Sequence, residues 1–455
     1  MMEATPLTLD ELQRRFTELE PAFSSREARI EANRCLYCFD APCIKACPTN
    51  IDVPTFIRKI GTGNTYGAAK TILEANLVGA TCSRVCPVEE LCEGACVLGS
   101  DHKPIEIGRL QRFAMDHIYE RGTMPFTPEP ATGKKVAVIG AGPAGLTCAG
   151  ELAKRGHAVT IFERNSLPGG LSTYGIVVMR EPIEVALTEV AFIQQLGVDI
   201  TTECEIGRDI SAETLVDDFD AVFIGVGMGT VPPLNIPGEN LDGVIDALPF
   251  IAKTKLAEKQ GLSQLSELQI AKSIAVIGAG NTAIDAATIA KRLGAEQVTI
   301  VYRRSEAEMP AYDFEYDFIK REGVEFRFLT QPTEILGDAG KVMGLRCQRM
   351  QLSDIGSDGR RQVDPVPNSE IVISCQQVIK AIGQEKLILA ELFGLATTRG
   401  FIDVNSSCET SHAGVFAGGD CIRSQGEAMT VTAAEDGKIA ANAIHARLTS
   451  SIAAD

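Results

Sequence analysis

No stretch of this 455-residue chain approaches the roughly 20 uninterrupted apolar residues of a membrane helix, which excludes a helical membrane protein. Positive charge is also short. With 43 Lys and Arg against 60 Asp and Glu, the formal net charge of −17 excludes a broad nucleic-acid surface and fits a solubilising acidic one. Met1 to Glu20 lacks the basic flank, apolar run and small-residue cleavage site of a signal peptide, so the expected location is the cytoplasm. Tryptophan is absent, and the five histidines, His102, His117, His157, His412 and His445, are dispersed without a motif. No acid–base or nucleophilic residue can be nominated from them. Neither a repeat of solenoid period nor a low-complexity segment occurs.

Cysteine is plentiful. Eight of the 14 lie between Cys35 and Cys96, and in a chain with no export signal they read as metal ligands rather than disulfides. Cys35-x2-Cys38-x4-Cys43-x3-Cys47-Pro48 is similar to the ferredoxin run C-x2-C-x2-C-x3-C-P with a longer middle gap. Cys82, Cys86 followed by Pro87, Cys92 and Cys96 form a second set. Eight thiolates fit two cubane clusters; four-thiolate zinc sites are the competitor, and the Cys-Pro ending favours iron–sulfur. Cys47 is the expected crossover ligand, because the fourth cysteine of a two-cluster ferredoxin run serves the other cluster. The remaining cysteines, Cys148, Cys204, Cys347, Cys375, Cys408 and Cys421, have no C-x-x-C spacing, which argues against a redox-active disulfide.

The length suits two or three domains. Segment 1–122 has helical spacing in "LTLDELQRRFTELEP", "SREARIEANRCLYC", "VPTFIRKI" and "IEIGRLQRFAMDHIYERG", so it is expected to be a helical module around the cysteines. Proline-rich 123–133 reads as a linker. From Lys134 short β-branched runs alternate with helices, and "KKVAVIGAGPAG" and "AKSIAVIGAGNTA" predict two dinucleotide-binding units, each a strand, a glycine turn and a helix. The expected fold is α+β and multidomain: an all-α iron–sulfur domain, then two α/β Rossmann-like domains.

In the first unit Gly140, Gly142 and Gly145 form G-x-G-x-x-G, with Pro143 and Ala144 between them, and Glu163 ends the second strand about 23 residues on. An acid there suits a ribose hydroxyl pair, and the helix start suits a pyrophosphate. The second unit has Gly278, Ala279, Gly280, Asn281 and Thr282 leading to Ala283, the permitted G-x-G-x-x-A form. Its second strand ends on Arg303 and Arg304, which suit a 2′-phosphate, although a solvated arginine pair is the plain alternative. Unlike strand ends predict unlike nucleotides, one held and one exchanging.

"GAGPAG", "FERNSLPGGLSTYGI" and "GVFAGGDCIRSQGEAMTVTAAEDGKIAA" together resemble the two-dinucleotide-domain disulfide-reductase superfamily. That resemblance implies FAD in the first unit, with Gly170, Leu171, Arg180, Gly419, Asp420 and Thr430 added to its contacts. It also implies a discontinuous FAD domain, 134–266 and 376–455, with an NAD(P) domain at 267–375. Ala381 and Gly383 complete the candidate nucleotide contacts. From "RCLYCFDAPCIKACPTNID" through "GAAKTILEANLVGATCSRVCP" to "IEIGRLQRFAMD" the chain resembles the N-terminal domain of dihydropyrimidine dehydrogenase, and less closely that of the glutamate synthase small subunit. This resemblance implies one cluster on Cys35, Cys38, Cys43 and Cys96. It implies another on Cys47, Cys86, Cys92 and the amide oxygen of Gln111, with Cys82 a spare; a plain surface role for Gln111 is the alternative.

The expected function is therefore electron input: hydride from NAD(P)H to FAD, then single electrons through two [4Fe–4S] clusters. The three modules use up the chain and leave no room for a roughly 250-residue FMN barrel. An FMN and [4Fe–4S] catalytic subunit that reduces uracil and thymine is the expected partner. A glutamate synthase small subunit, or a related reductase for another acceptor, is the alternative; a cluster-binding scaffold without activity is disfavoured by two intact nucleotide motifs. In the resembling family the bacterial subunits use NADH, whereas the animal enzyme uses NADPH and has an arginine where this chain has Pro310, so the donor stays open between the two.

Overall fold

The computed structural model describes residues 7–355, 361–386, 389–423 and 428–450. Two compact units emerge, each assembled from separate stretches of chain.

One unit contains residues 18–173, 180–228 and 386–455. Its first part is helical: Ser25–Ala32, Pro42–Lys45, Val53–Gly61, Thr65–Ala75, Gly79–Val85 and Ile107–Arg121. Local signals set these limits. Ser24 and Glu27 form a capping box, and Asp52 and Asn64 accept from the third backbone N–H of their helices. Gly122, at φ 69°, ends the last helix in the left-handed conformation. Helix Val53–Gly61 buries Val53, Phe56, Ile57 and Ile60, a spacing that faces one stripe inward.

The same unit holds a five-stranded, all-parallel sheet in the order Val415–Ala417, Ala221–Ile224, Lys135–Ile139, Ala158–Phe162, Val198–Thr201. Strands covered on both faces by helices read as continuous apolar runs, as "VAVI" does. One hydrophobic core runs from Ala28 and Phe56 in the helical part to Val138 and Phe223 in the sheet and Ile444 in the last helix, Thr430–Ser450. The cysteine-bearing helices and this sheet are thus packed as one body.

The other unit contains residues 7–17, 174–179 and 229–385. It carries a second parallel sheet in the order Val244–Asp246, Gln377–Lys380, Ser273–Ile277, Gln297–Val301, Glu325–Arg327. This sheet draws strands from both sides of the 267–375 segment. A three-stranded antiparallel sheet, Thr330–Asp338, Lys341–Ile355 and Arg361–Ser374, completes it, with Leu345 opposite Ile335 and Ile373. Helix Leu9–Arg15, grouped by its sequence position with the cysteine module, packs in this unit: Arg15 Nη1 donates to Lys291 O at 3.4 Å, and Arg292 Nη1 donates to Arg15 O. The fold class is that of a helical iron–sulfur domain followed by α/β dinucleotide-binding sheets. Among the described residues no helix is long and apolar enough to cross a membrane.

Candidate functional site

In both parallel sheets the chain runs from the strand that leads into the glycine motif toward one edge of the sheet, then returns and adds a later strand on that strand's other side. This is the switch point at whose carboxyl end open α/β sheets hold ligands. Gly140 leaves the first such strand at φ 95°, and a Cβ there would lie 2.7 Å from Gly225 O, so only glycine makes the turn. Helix Pro143–Lys154 then starts with Gly142 at its cap, no side-chain cap, and Pro143 in the first turn. Its free N–H groups and dipole are available to an anion. Glu163 is buried at the end of the neighbouring strand; Oε2 accepts from Ala141 N at 2.9 Å and Oε1 from Asn165 N at 2.8 Å. Those bonds lock the carboxylate against the glycine turn.

Two other predicted contacts lie against this turn and the helix it starts. Gly170, at φ 58°, brings its backbone against Gly142, and Gly419 lies against Ala144. Leu171 is exposed at the start of the short helix Leu171–Tyr174, and Thr430 begins the last long helix. Gly419 N donates to Asp436 Oδ2 at 2.9 Å. Burial raises the Asp420 carboxyl, against the pull of Arg423 and with the push of Asp436, so a hydroxyl donor would suit it. Of the late motif, residues 424–427 lie outside the described residues.

The second turn repeats the design. Gly278 has φ 121° and a Cβ there would stand 2.1 Å from Ala381 O; Ala381 N donates to Ile277 O at 2.8 Å, and Gly383 follows at φ 99°. Helix Asn281–Arg292 starts at Gly280 without a side-chain cap, with Thr282 in its first turn, and Ala279 O accepts from Ala311 N at 3.3 Å. Arg303 is exposed, whereas Arg304 is half-buried with Nε donating to Arg361 O at 3.2 Å. Pro310 Cγ is the nearest atom to the space beside Gly280.

Eight cysteines fall into two neighbouring sets, although among the described residues no three of them are placed closely enough to hold a metal ion together. Cys35, Cys38, Cys43 and Cys96 line one recess that opens to solvent, with Val53, Ile57, Ile105 and Ile107 behind them. Burial, with the neighbouring thiols, pushes Cys43 up to about 11 and raises Cys35. Bringing four such thiols together is unfavourable for the thiolates unless a cation balances them, which is the chemistry of a metal or cluster site. The second group is Cys47, Cys82, Cys86 and Cys92. A hydrogen bond donated by the Cys86 thiol to Cys82, burial, and the charges of Cys82, Cys92 and Cys47 raise Cys86; burial, Glu93 and Cys47 raise Cys92. Cys47 Sγ lies 3.3 Å from Thr49 Oγ1. Gln111 is buried, and its Nε2 donates to Gly79 O at 2.7 Å, at the start of the helix that carries Cys82. This bond turns the amide so that Oε1 is the atom left for a ligand role. The donor set fits iron–sulfur chemistry.

Sequence spacing missed two polar groupings. His157 and His445, far apart in the chain, meet with Nε2 and Nδ1 at 2.9 Å. Arg180, a predicted flavin contact, is followed by buried Glu181, which meets the Thr81 hydroxyl that also contacts Glu189. Neither has a motif; only the packed helices bring them together. All cysteines are free, so among the described residues no disulfide links the scattered six.

Comparison with known proteins agrees with this layout. Residues 12–123 match the family described as dihydropyrimidine dehydrogenase domain II, 4Fe-4S cluster, and residues 134–437 match pyridine nucleotide-disulphide oxidoreductase. The glutamate synthase [NADPH] small chain of Escherichia coli is 34% identical, covering 96% of this chain and 95% of its own. The NAD-dependent dihydropyrimidine dehydrogenase subunit PreT of Salmonella typhimurium is also 34% identical, over 94% of this chain and 96% of its own. Mycobacterium tuberculosis FprA in complex with NADPH shares the fold with a TM-score of 0.58 at 21% identity, covering 72% of this chain and 86% of that one. Lactococcus lactis thioredoxin reductase gives a TM-score of 0.54 at 21% identity, over 70% of this chain and 99% of that one. An N-terminal 4Fe-4S domain joined to two nucleotide-type sheets makes this chain a member of the pyridine nucleotide-disulphide oxidoreductase family.

Proposed function

We propose that the chain is the cytoplasmic electron-input subunit of a dihydropyrimidine dehydrogenase of the bacterial two-subunit type. When bound, FAD supplies hydride acceptance and the clusters supply single-electron storage, which converts a two-electron donor into one-electron steps. The observation that carries this reading is the recess lined by Cys35, Cys38, Cys43 and Cys96, in one packed body with a dinucleotide-type sheet. The start of helix Pro143–Lys154 would hold the FAD pyrophosphate, Glu163 its ribose, and Asp420 the ribityl side. Gly278, Gly280 and the start of helix Asn281–Arg292 would hold the nicotinamide nucleotide, with Arg303 and Arg304 beside its ribose. The proposed cluster ligands are Cys35, Cys38, Cys43 and Cys96 for one, and Cys47, Cys86, Cys92 and Gln111 for the other.

The proposed domain limits are 1–122, 134–266 with 376–455, and 267–375, with 123–133 as the linker. A glutamate synthase small-chain role is the second reading, favoured by the equal identity and nearly full coverage of that relative. Purification of the native complex, with mass identification of the partner, decides between them. An FMN and iron–sulfur protein that reduces uracil with electrons from this chain supports the first; a glutamate synthase large chain overturns it.

A further inference from the structure

Helix Gly79–Val85, which carries Cys82 and leads into Cys86, has no side-chain cap of its own. Glu189, on helix Ile183–Gln194, supplies one: its Oε1 accepts from Ala80 N at 2.9 Å and Thr81 N at 3.3 Å. Glu189 is buried, and so is Glu181. Thr81 Oγ1 stands 2.6 Å from Glu181 Oε1 and also 2.6 Å from Glu189 Oε2. A hydroxyl has one proton to donate. Both contacts can be hydrogen bonds only if one carboxyl is itself protonated and donates back to the hydroxyl oxygen. Two ionised carboxylates on one buried hydroxyl would also repel each other.

The surroundings favour a held proton. Tyr119 OH donates to Glu189 Oε1 at 3.1 Å. Arg84, on the capped helix, is committed to Asp116 at 2.6 Å, and Arg180 adjoins Glu181 in the chain. The other elements packed on helix Ile183–Gln194 bring the Glu151–Lys154 pair and Asp199, none of them hydrogen-bonded to Glu189 among the described residues. Burial, with the charge of Glu181, raises the Glu189 carboxyl from the ordinary 4.5 to about 7, against the hydrogen bonds from Thr81 and Ala80.

We propose that Glu181, Thr81 and Glu189 form a proton-holding relay, which shares one proton in the resting protein and binds a second when an electron reaches the thiolate site on the adjoining helix. The proposal rests on the electron-input reading above. Oxidation of NAD(P)H to NAD(P)+ releases two electrons and one proton. That proton forms the new O–H bond on the remaining carboxylate, and the bond breaks again when the electron passes on. Proton uptake offsets the added negative charge, where a buried site has little solvent to do so. Thr81 lies in the helix whose C-cap is Cys86, a proposed ligand, so relay and thiolate site share one short helix.

The test is an electron-paramagnetic-resonance redox titration of the reconstituted chain across the neutral pH range, with infrared difference spectra of the same samples. One iron–sulfur potential is expected to fall by about 59 mV per pH unit, the value for one proton per electron. Glu189→Gln and Thr81→Val should flatten that dependence. A protonated-carboxyl stretch should be present in the oxidised protein and gain intensity on reduction, and Glu189→Gln should abolish the gain. Iron content separates the two possible failures. Iron-replete protein with pH-independent potentials overturns the relay alone. Iron-free protein after reconstitution overturns the cluster reading, and with it the electron-coupled uptake. If Glu189→Gln is poorly folded, Thr81→Val keeps the test: an unchanged slope in that variant overturns the relay.

Discussion

Cys43 occupies the recess with Cys35, Cys38 and Cys96, and every residue lining that recess lies between Cys35 and Ile107. Cys43→Ala is therefore expected to lose about four iron, one cubane's worth, while flavin content stays unchanged. Iron and flavin assays on the same sample check it, and full iron retention would show the ligand set to be wrong. Gln111 and Cys82 compete for the other ligand position, since Cys82 is hydrogen-bonded to Cys86 and Gln111 is tied to the start of the helix that carries Cys82. Gln111→Ala is expected to cost iron and Cys82→Ala to spare it; the reverse would exchange their roles. Arg303 is exposed, and among the described residues no hydrogen bond holds its guanidinium, so it is more available to a 2′-phosphate than tethered Arg304. Arg303→Ala should lower kcat/KM for NADPH at least roughly tenfold more than for NADH, as about 1.4 kcal/mol of lost phosphate contact requires. The residues found by spacing, such as Gly140, Glu163 and Cys35, belong to motifs a few residues long. Glu181, Thr81 and Glu189 could not be found that way, because a pairing across about 100 residues has no local signature.

At the scale of elements, the strand, turn and helix order from Lys134 was legible because parallel strands covered on both sides must be apolar throughout and their turns need glycine. What the pattern left hidden was which elements pack together. Helix Leu9–Arg15 has an amphipathic spacing that any apolar surface would satisfy, and nothing local says that it joins residues 229–385. Close packing of helix Thr430–Ser450 on Pro143–Lys154 turns on Gly437, where a Cβ would lie 2.2 Å from Ala144 O. Gly437→Ala must push the helices apart, and about 1–3 kcal/mol of overpacking is expected, with loss of flavin, readable as a lower melting temperature and a paler protein. The cap on helix Gly79–Val85 gives a pH effect. A folded-state pKa of about 7 for Glu189, above the ordinary 4.5, means that the folded protein holds this proton more tightly than the unfolded chain. Its contribution is full below 4.5 and is lost as pH rises through about 7, at up to about 1.4 kcal/mol per pH unit. Melting temperature should fall less steeply over that window in Glu189→Gln than in the parent protein; identical slopes would assign the loss to other groups.

For the whole molecule, the proposed function has electrons enter in pairs and leave singly, which requires its parts in fixed ratio. Two clusters per flavin predict about eight iron and eight acid-labile sulfide per FAD after anaerobic reconstitution, and half that content would leave a single cluster. Within the described residues the α/β architecture consists of two open parallel sheets, neither of them closed into a barrel. The chain alone is thus expected to bleach its flavin with NAD(P)H and to pass electrons to an artificial one-electron acceptor, yet to leave uracil unreduced. Lys438 is relevant to this internal route, since its Nζ donates to Thr49 O at 2.9 Å and Ala75 O at 3.1 Å and so ties the last helix to the segment after Cys47. Lys438→Met removes both charge-assisted bonds, at an expected cost of about 1.5–3 kcal/mol. Dye reduction should slow in that variant more than flavin bleaching does, because hydride arrival needs only the nucleotide sites whereas electron exit needs the cysteine helices held in place. Measured side by side by stopped flow, equal slowing of both would place the last helix in hydride transfer, and uracil turnover by the isolated chain would remove the need for a partner altogether.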